Sequence, residues 1–218
     1  MASPLYIAVD LGAGSGRVYL AGVDPGELLL EEIHRFQYPP SDESGYLRWD
    51  FSHIFSEIKL GLKKAGRRAS ESNRTIQSIG VDSWGVDYGL LDAEGRLIAD
   101  PVCYRDKRTQ DAMARVFAIV PRSEIFEKTG IQFQSFNTLF QLFSEDESLE
   151  KVSKLLLLPD LINFFLTGKA VVEYTNATTT QMVNAATGEW DMDLLERLKL
   201  PGGILPPIIP AGTVVGKL

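Results

Sequence analysis

The sequence predicts an α/β fold in which a mixed central sheet is flanked by helices. Two observations lead there. Three runs of strand character follow one another at the start of the chain, and a long run with helical spacing separates them from the next strand. The second half then turns mainly helical, so strands and helices are not segregated into separate blocks.

The elements can be justified in order. Residues 5–11 and 16–23 are short apolar and β-branched runs joined by a glycine-rich turn, and residues 27–38 form a third run that tends to alternate. Turn residues occupy 39–45. Asp50 is placed to cap a helix whose apolar positions Phe51, Ile54, Phe55, Ile58 and Leu62 keep helical spacing. Its far end, Lys63-Lys64-Ala65-Gly66-Arg67-Arg68, puts cations where the helix dipole favours them. Residues 75–81 are a fourth strand ending at Asp82, and residues 86–91 a fifth. The order βββαβ is that of the ribonuclease-H-like domain of actin-like ATPases. Helices are expected over 109–120, 123–128, 138–143 and 159–166, the last opening on Pro159 and closing at Thr167-Gly168. Asp191 is expected to cap a final helix through Leu198, and the prolines and glycines at 201–203 and 206–207 to force irregular chain.

The first turn carries the most chemistry. Asp10-Leu11-Gly12-Ala13-Gly14-Ser15-Gly16-Arg17 sets an acid, a flexible turn and a guanidinium directly after an apolar strand. Successive backbone N–H groups in such a turn make a concave anion site. The acid can hold a divalent cation and the arginine can meet an oxyanion. A dinucleotide fingerprint is excluded, because the glycines are spaced G-x-G-x-G and a strand, not a helix, follows. A P-loop is excluded for want of Gly-Lys-Ser/Thr. Strand, glycine turn, strand is the phosphate hairpin of actin-like folds, although an ordinary glycine-rich β-turn satisfies the same residues.

Composition narrows the partners. A chain of 218 residues can bury roughly 70% of its unfolded surface. Its net charge of -7 argues against nucleic acid or a membrane surface as partner, so an anionic nucleotide needs a local positive site or a metal. Cys103 is the single cysteine, which points to a reducing compartment, the cytoplasm. His34 and His53 are too isolated for a zinc site. The start lacks the basic and apolar regions of a signal peptide, and no apolar run reaches membrane-spanning length.

Four further segments are candidates for a ligand site. Asp10 and Asp82 each end a predicted strand, where ligands collect in open α/β sheets, and they face one cleft if those strands are neighbours. In Asp82-Ser83-Trp84-Gly85-Val86-Asp87, Trp84 offers an apolar face to the C–H side of a sugar and Gly85 lets backbone approach a hydroxyl. A tight turn with a partly buried Trp is the simpler alternative. Tyr104-Arg105-Asp106-Lys107-Arg108-Thr109 is rich in donors for a polyhydroxylated ligand, or is a salt-bridged helix entry. Residues 130–137 mix aromatics with amides, and residues 173–181 are short polar residues that either line a cleft or form a polar strand.

Together these stretches resemble the FGGY family of carbohydrate kinases. The resemblance rests on Ala8-Val9-Asp10-Leu11-Gly12-Ala13, Ser15-Gly16-Arg17-Val18, Glu32-Ile33-His34-Arg35-Phe36, Ile79-Gly80-Val81-Asp82-Ser83-Trp84-Gly85-Val86-Asp87, Tyr104-Arg105-Asp106, Gly130-Ile131-Gln132-Phe133 and Tyr174-Thr175-Asn176-Ala177-Thr178-Thr179-Thr180. It runs from about residue 6 to 216, and the Ser-Trp-Gly-Val-Asp and Tyr-Thr-Asn-Ala-Thr-Thr-Thr strings carry most of its specificity. Within the family it is tightest to members acting on L-rhamnulose.

The resemblance implies ATP-dependent phosphorylation of L-rhamnulose at its 1-hydroxyl, with Mg²⁺. Ala13, Gly14, Ser15, Gly16 and Arg17 then match the ATP-contacting hairpin, Gly85 a substrate-contacting glycine, and Asp10 the acid associated with metal and phosphates. For Trp84, Asp82 and Arg105 a substrate role is inferred from their neighbourhood. A relative can carry Ser at position 14, so Gly14 is expected only to loosen the turn. Kinases of this family pair two ribonuclease-H-like domains, sugar bound mainly by the first and adenosine by the second. Their general base is an Asp in a His-Asp-Thr-like turn, expected soon after Pro210-Ala211-Gly212-Thr213-Val214-Val215-Gly216. The sequence ends at Leu218 and no His follows His53. Residues 1–218 are thus expected to be the N-terminal, sugar-binding domain, without a catalytic base and without turnover alone. The alternatives are an FGGY kinase for fuculose, xylulose or glycerol, and a non-catalytic actin-like module binding sugar or nucleotide.

Overall fold

The computed structural model describes residues 3–145 and 149–218. Strands β1 (Leu5–Gly12), β2 (Ser15–Asp24) and β3 (Glu27–Gln37) come first, followed by the short pair β4 (Ser41–Glu43) and β5 (Tyr46–Arg48), helix α1 (Phe51–Glu71) and strands β6 (Ile76–Ser83) and β7 (Tyr88–Leu91). The remainder holds α2 (Ala112–Phe117), α3 (Arg122–Thr129), α4 (Thr138–Phe143), β8 (Lys154–Leu157), α5 (Leu158–Thr167), β9 (Val172–Glu173), α6 (Tyr174–Thr178), α7 (Met192–Arg197) and β10 (Ile208–Ile209). The chain divides into two units, one of residues 1–41 and 49–84, the other of residues 42–48 and 85–218.

In the first unit a four-stranded sheet runs β3-β2-β1-β6. β1 and β2 are antiparallel, as are β2 and β3, whereas β1 and β6 are parallel, so the sheet is mixed. Alternation in the sequence becomes alternation in burial: Leu5, Ile7, Val9 and Leu11 of β1 and Val18 and Leu20 of β2 point inward. β3 alternates less well than its sequence suggests. A register irregularity opposite Val18/Tyr19 interrupts it, only Phe36 is buried, and Leu28 and Leu30 lie exposed.

α1 begins where Asp50 predicts, the carboxylate accepting a 2.8 Å hydrogen bond from the His53 amide. Ile54 and Ile58 are fully buried, each contributing about 1.5–3 kcal/mol. The helix approaches β2 closely at Gly61, where a Cβ would stand 2.4 Å from Val18 Cγ2. The parallel β6 returns beside β1 after this helical crossover, completing the expected βββαβ order.

In the second unit β7 pairs antiparallel with β8, and the fully buried Leu155, Leu156, Leu157, Leu158, Leu161 and Ile162 carry the core from β8 into α5. Pro159 lies in the first turn of α5, and Gly168 closes it in a left-handed conformation at φ 75°. Asp191 caps α7 through the Leu194 amide.

Several expectations need correction. The fifth strand starts at Tyr88, not at residue 86, because Val86 adopts φ 72°. The turn stretch 39–45 contains β4 and leads into β5. The helix expected over 109–120 is a 3-10 turn at Lys107–Thr109 followed by the shorter α2. Of the polar stretch 173–181 only Glu173 is strand, ending β9: its carboxylate accepts hydrogen bonds from the Thr175 and Asn176 amides and starts α6. Near the C-terminus, chain expected to be irregular forms a 3-10 turn at Gly202–Ile204 and pairs β10 with β9.

Candidate functional site

The glycine-rich hairpin of the first unit is built as a two-residue turn. Gly12 and Ser15 are the last paired residues, and Ala13-Gly14 form the loop. Gly14 sits at φ 142°, a conformation L side chains rarely adopt, and a Cβ there would meet nothing within 4 Å. Glycine therefore defines this turn by its backbone conformation and does not merely loosen it, which corrects the expectation. Gly16 has a different reason to be glycine: a Cβ would lie 2.5 Å from Phe36 Cζ and 2.7 Å from Leu11 Cδ2.

Tyr38, which the sequence reading passed over, secures the hairpin. Its hydroxyl donates to the Gly12 carbonyl at 2.6 Å and lies 2.9 Å from the Ser15 carbonyl, while its amide donates to the Gly14 carbonyl at 3.0 Å. Burial, with Asp10 nearby, pushes the phenol well above its usual range, so it stays a neutral donor. An aromatic between the buried Phe36 and Pro39 was the available signal.

The acids fall where strand-end logic places them. β1 and β6 are parallel neighbours with Asp10 directly opposite Asp82, so the two carboxylates end adjacent strands. Asp10 accepts a 3.1 Å hydrogen bond from Arg17 Nη1, with both side chains partly solvated, and Asp82 is exposed. These are hard oxygen donors fitted to a cation that keeps several waters and takes further ligands from phosphates. Among the described residues no group of three or more His, Cys, Asp or Glu forms a ready metal cage. Next to Asp82, Ser83 Oγ is buried without a hydrogen-bond partner.

Trp84 belongs to an aromatic cluster. Its ring stacks on Tyr38 at 5.9 Å between centroids and tilts against the fully buried Trp49 at 4.7 Å. The partly buried tryptophan of the simpler alternative is therefore present, with one face engaged by protein.

In the second unit Gly85 opens a turn held from several sides. Val86, buried at φ 72°, is β-branched in a conformation that costs about 1–3 kcal/mol. Its carbonyl accepts hydrogen bonds from Thr138 Oγ1 at 2.7 Å and Gln141 Nε2 at 3.2 Å. Asp87, fully buried, accepts from Gln141 Nε2 at 3.1 Å and from the Tyr104 amide at 3.2 Å. Gln141 also donates to the Phe136 carbonyl at 2.8 Å. A lone amide within the apolar run Thr138-Leu139-Phe140-Gln141-Leu142-Phe143 was the sequence signal for this network, and it went unused.

The donor-rich stretch after Tyr104 divides by role. Arg105 is exposed, its guanidinium 5.0 Å from the Tyr104 ring centroid and its Nε donating to the Tyr104 hydroxyl at 3.1 Å. Asp106 instead accepts from the Leu47 and Arg108 amides, and Arg108 is buried against Glu145 at 2.7 Å. Asp106 and Arg108 therefore belong to the helix entry of the alternative reading. Asp10, Asp82, Trp84 and the hairpin 13–17 lie in the first unit, Gly85 and Arg105 in the second.

Solved structures with this arrangement are kinases of small carbohydrates. The xylulose kinase from Rhodospirillum rubrum superposes with a TM-score of 0.84 at 22% identity, over 97% of this chain and 45% of that one. The gluconate kinase from Lactobacillus acidophilus gives 0.81 at 23%, over 99% and 44%. The ribonuclease-H-like, actin-like α/β fold expected from the strand order holds. The family model described as "FGGY family of carbohydrate kinases, N-terminal domain" matches residues 5–218, and the chain belongs to that family. Among individual relatives, the rhamnulokinase of Ligilactobacillus salivarius is 44% identical over 98% of this chain and that of Bacillus subtilis 40% over 98%. The chain spans 43% and 44% of those two proteins' own lengths.

Proposed function

We propose that this chain is the sugar-binding N-terminal domain of an ATP-dependent kinase that converts L-rhamnulose to L-rhamnulose 1-phosphate. The observation that carries the reading is 40–44% identity to rhamnulokinases over nearly the whole chain, set against 22–23% to xylulose and gluconate kinases of the same fold. Residues 13–17 cradle the ATP phosphates with turn amides and the Arg17 guanidinium. Asp10, with Asp82 across the strand pair, would hold Mg²⁺, which when bound supplies charge neutralisation on the phosphates. Gly85 meets the sugar through its backbone, and Trp84, Asp82 and Arg105 are further candidates for a substrate role.

The general base that the family resemblance implies, an Asp in a His-Asp-Thr-like turn, has no match at His34-Arg35-Phe36 or His53-Ile54-Phe55. His34 is engaged by Glu57 and Lys64, and His53 by the Gln37 carbonyl, so neither belongs to a His-Asp-Thr-like turn. Phosphoryl transfer depends on positioning and charge stabilisation, so this domain needs a second, nucleotide-binding domain to turn over. The cytoplasm suits it: Cys103 is a buried free thiol whose pKa burial raises to about 11, and among the described residues no helix is long and apolar enough to cross a membrane.

A coupled ATPase assay of the full reading frame across L-rhamnulose, L-fuculose, D-xylulose and glycerol tests this. We expect kcat/KM for L-rhamnulose at least tenfold above the others. Preference for another ketose or glycerol reassigns the substrate, and sugar affinity without phosphorylation makes the protein a binding module.

A further inference from the structure

The Tyr-Thr-Asn-Ala-Thr-Thr-Thr string has no role in the reading above, yet the structure brings it against the glycine on which that reading depends. A Cβ at position 85 would stand 3.1 Å from Thr179 Oγ1, 3.4 Å from Thr179 Cγ2 and 3.5 Å from Asn176 Oδ1. The end of α6 thus fills the space a side chain at 85 would need. The backbone beyond cannot relax freely, because Val86 is already strained at φ 72° and its carbonyl is held by Thr138 and Gln141.

α6 is itself firmly placed. Glu173 accepts from the Thr175 and Asn176 amides, and the Glu173 amide donates at 3.1 Å to the buried Asp160. Thr179 Oγ1 donates to the Asn176 carbonyl at 2.8 Å, which fixes its rotamer toward the turn. Asn176 Nδ2, in contrast, is buried without an acceptor. A buried donor left unsatisfied destabilises the fold, and such groups occur at functional sites.

We propose that Thr179, with Asn176 beside it, is a positioning residue for substrate: it braces the Gly85 turn from behind and so sets where the sugar sits. The inference rests on the assignment of Gly85 to the sugar site. A cycle of three variants of the full-length kinase tests it, with each variant read by ketose KM, ATP KM, kcat and thermal midpoint. Gly85→Ala should raise ketose KM at least tenfold with ATP KM within twofold. Thr179→Ala, which removes the brace, should itself raise ketose KM two- to threefold with ATP KM unchanged. The double variant, in which the added methyl enters the space Thr179 vacated, should recover at least half of the logarithmic loss.

A double variant no better than Gly85→Ala overturns the proposal, because the methyl then obstructs the sugar itself. Coupling in thermal midpoint without coupling in ketose KM also overturns it, leaving α6 as a brace of the fold alone. Should Gly85→Ala not fold, Thr179→Leu replaces it: ketose KM should rise at least fivefold, against less than twofold for the near-isosteric Thr179→Val, and equal effects overturn the proposal. Failure of the underlying reading is separately visible, since the wild-type protein would then phosphorylate no ketose while the thermal cycle still reported whether Thr179 and position 85 couple.

Discussion

Two turns for which ligand roles are proposed are secured in opposite ways. The hairpin at Ala13-Gly14 belongs to the first unit, uses a glycine where the backbone needs φ 142°, and is fixed by strand register plus one tyrosine. The Gly85-Val86-Asp87 turn belongs to the second, forces a valine to φ 72°, and is held by fully buried polar groups far along the chain. A phosphate site needs amides and positive charge, which a short local motif supplies. A site that must distinguish hydroxyls needs atoms fixed more tightly, and distant residues over-determine it. The comparison makes the second turn the more costly to disturb.

The largest effect should follow from Asp87→Ala. It strips acceptors from the Tyr104 amide and Gln141 Nε2 at a position with no solvent exposure. The Tyr104 amide is left without that acceptor, while Gln141 Nε2 keeps the Val86 and Phe136 carbonyls, and the loss is expected to cost about 3 kcal/mol, measurable by urea unfolding of the chain. A loss below about 1 kcal/mol would mean the network is ornamental and the contrast between the turns is wrong.

A second test uses pH. Asp160, 3% exposed, lies behind α6, and burial raises its pKa to about 7 from an ordinary value near 3.8, with the Glu173 charge adding to the effect. Between those values the unfolded chain releases this proton while the folded chain keeps it, so stability falls as pH rises from 4 to 7. Asp160→Asn removes that dependence. The variant should gain on wild type by roughly 3 kcal/mol more at pH 7 than at pH 4 in paired thermal or urea melts. An equal difference at both pH values would mean the carboxyl titrates normally.

The contrast also explains what the sequence disclosed. Strands β1 and β2, the Asp50 cap of α1 and the Asp10–Asp82 juxtaposition were legible because period-two alternation, capping and strand-end position act over a few residues. Thr138, Gln141 and Asn176 were not, since they meet the Gly85 turn across 50 or more positions and no local pattern marks a buried amide as a partner. Val86 actively misled: a β-branched residue in an apolar run reads as strand, and only tertiary hydrogen bonds hold it at positive φ. Tyr38 was missed for a milder reason, as an aromatic ending a strand run reads as core, which it also is.

Tyr38→Phe should give the smallest effect and the sharpest view of the first turn. The ring contacts with Trp49 and Trp84 survive, as does the bond from the residue 38 amide to the Gly14 carbonyl, so only the hydroxyl's interactions with the Gly12 and Ser15 carbonyls are lost. Because the phenol is buried and neutral, no charge change accompanies the substitution. A loss of about 1 kcal/mol is expected. Register between β1 and β2 should persist, so the loosening should stay local: amide exchange at Gly14 and Ser15 should quicken about fivefold while exchange in the α1 core is unchanged. On the proposed function, ATP KM of the full-length protein should rise a few-fold with ketose KM unmoved. If instead Tyr38→Phe costs as much as Asp87→Ala, or slows ketose turnover as strongly as ATP binding, the hairpin is no local device and the contrast between the two turns fails.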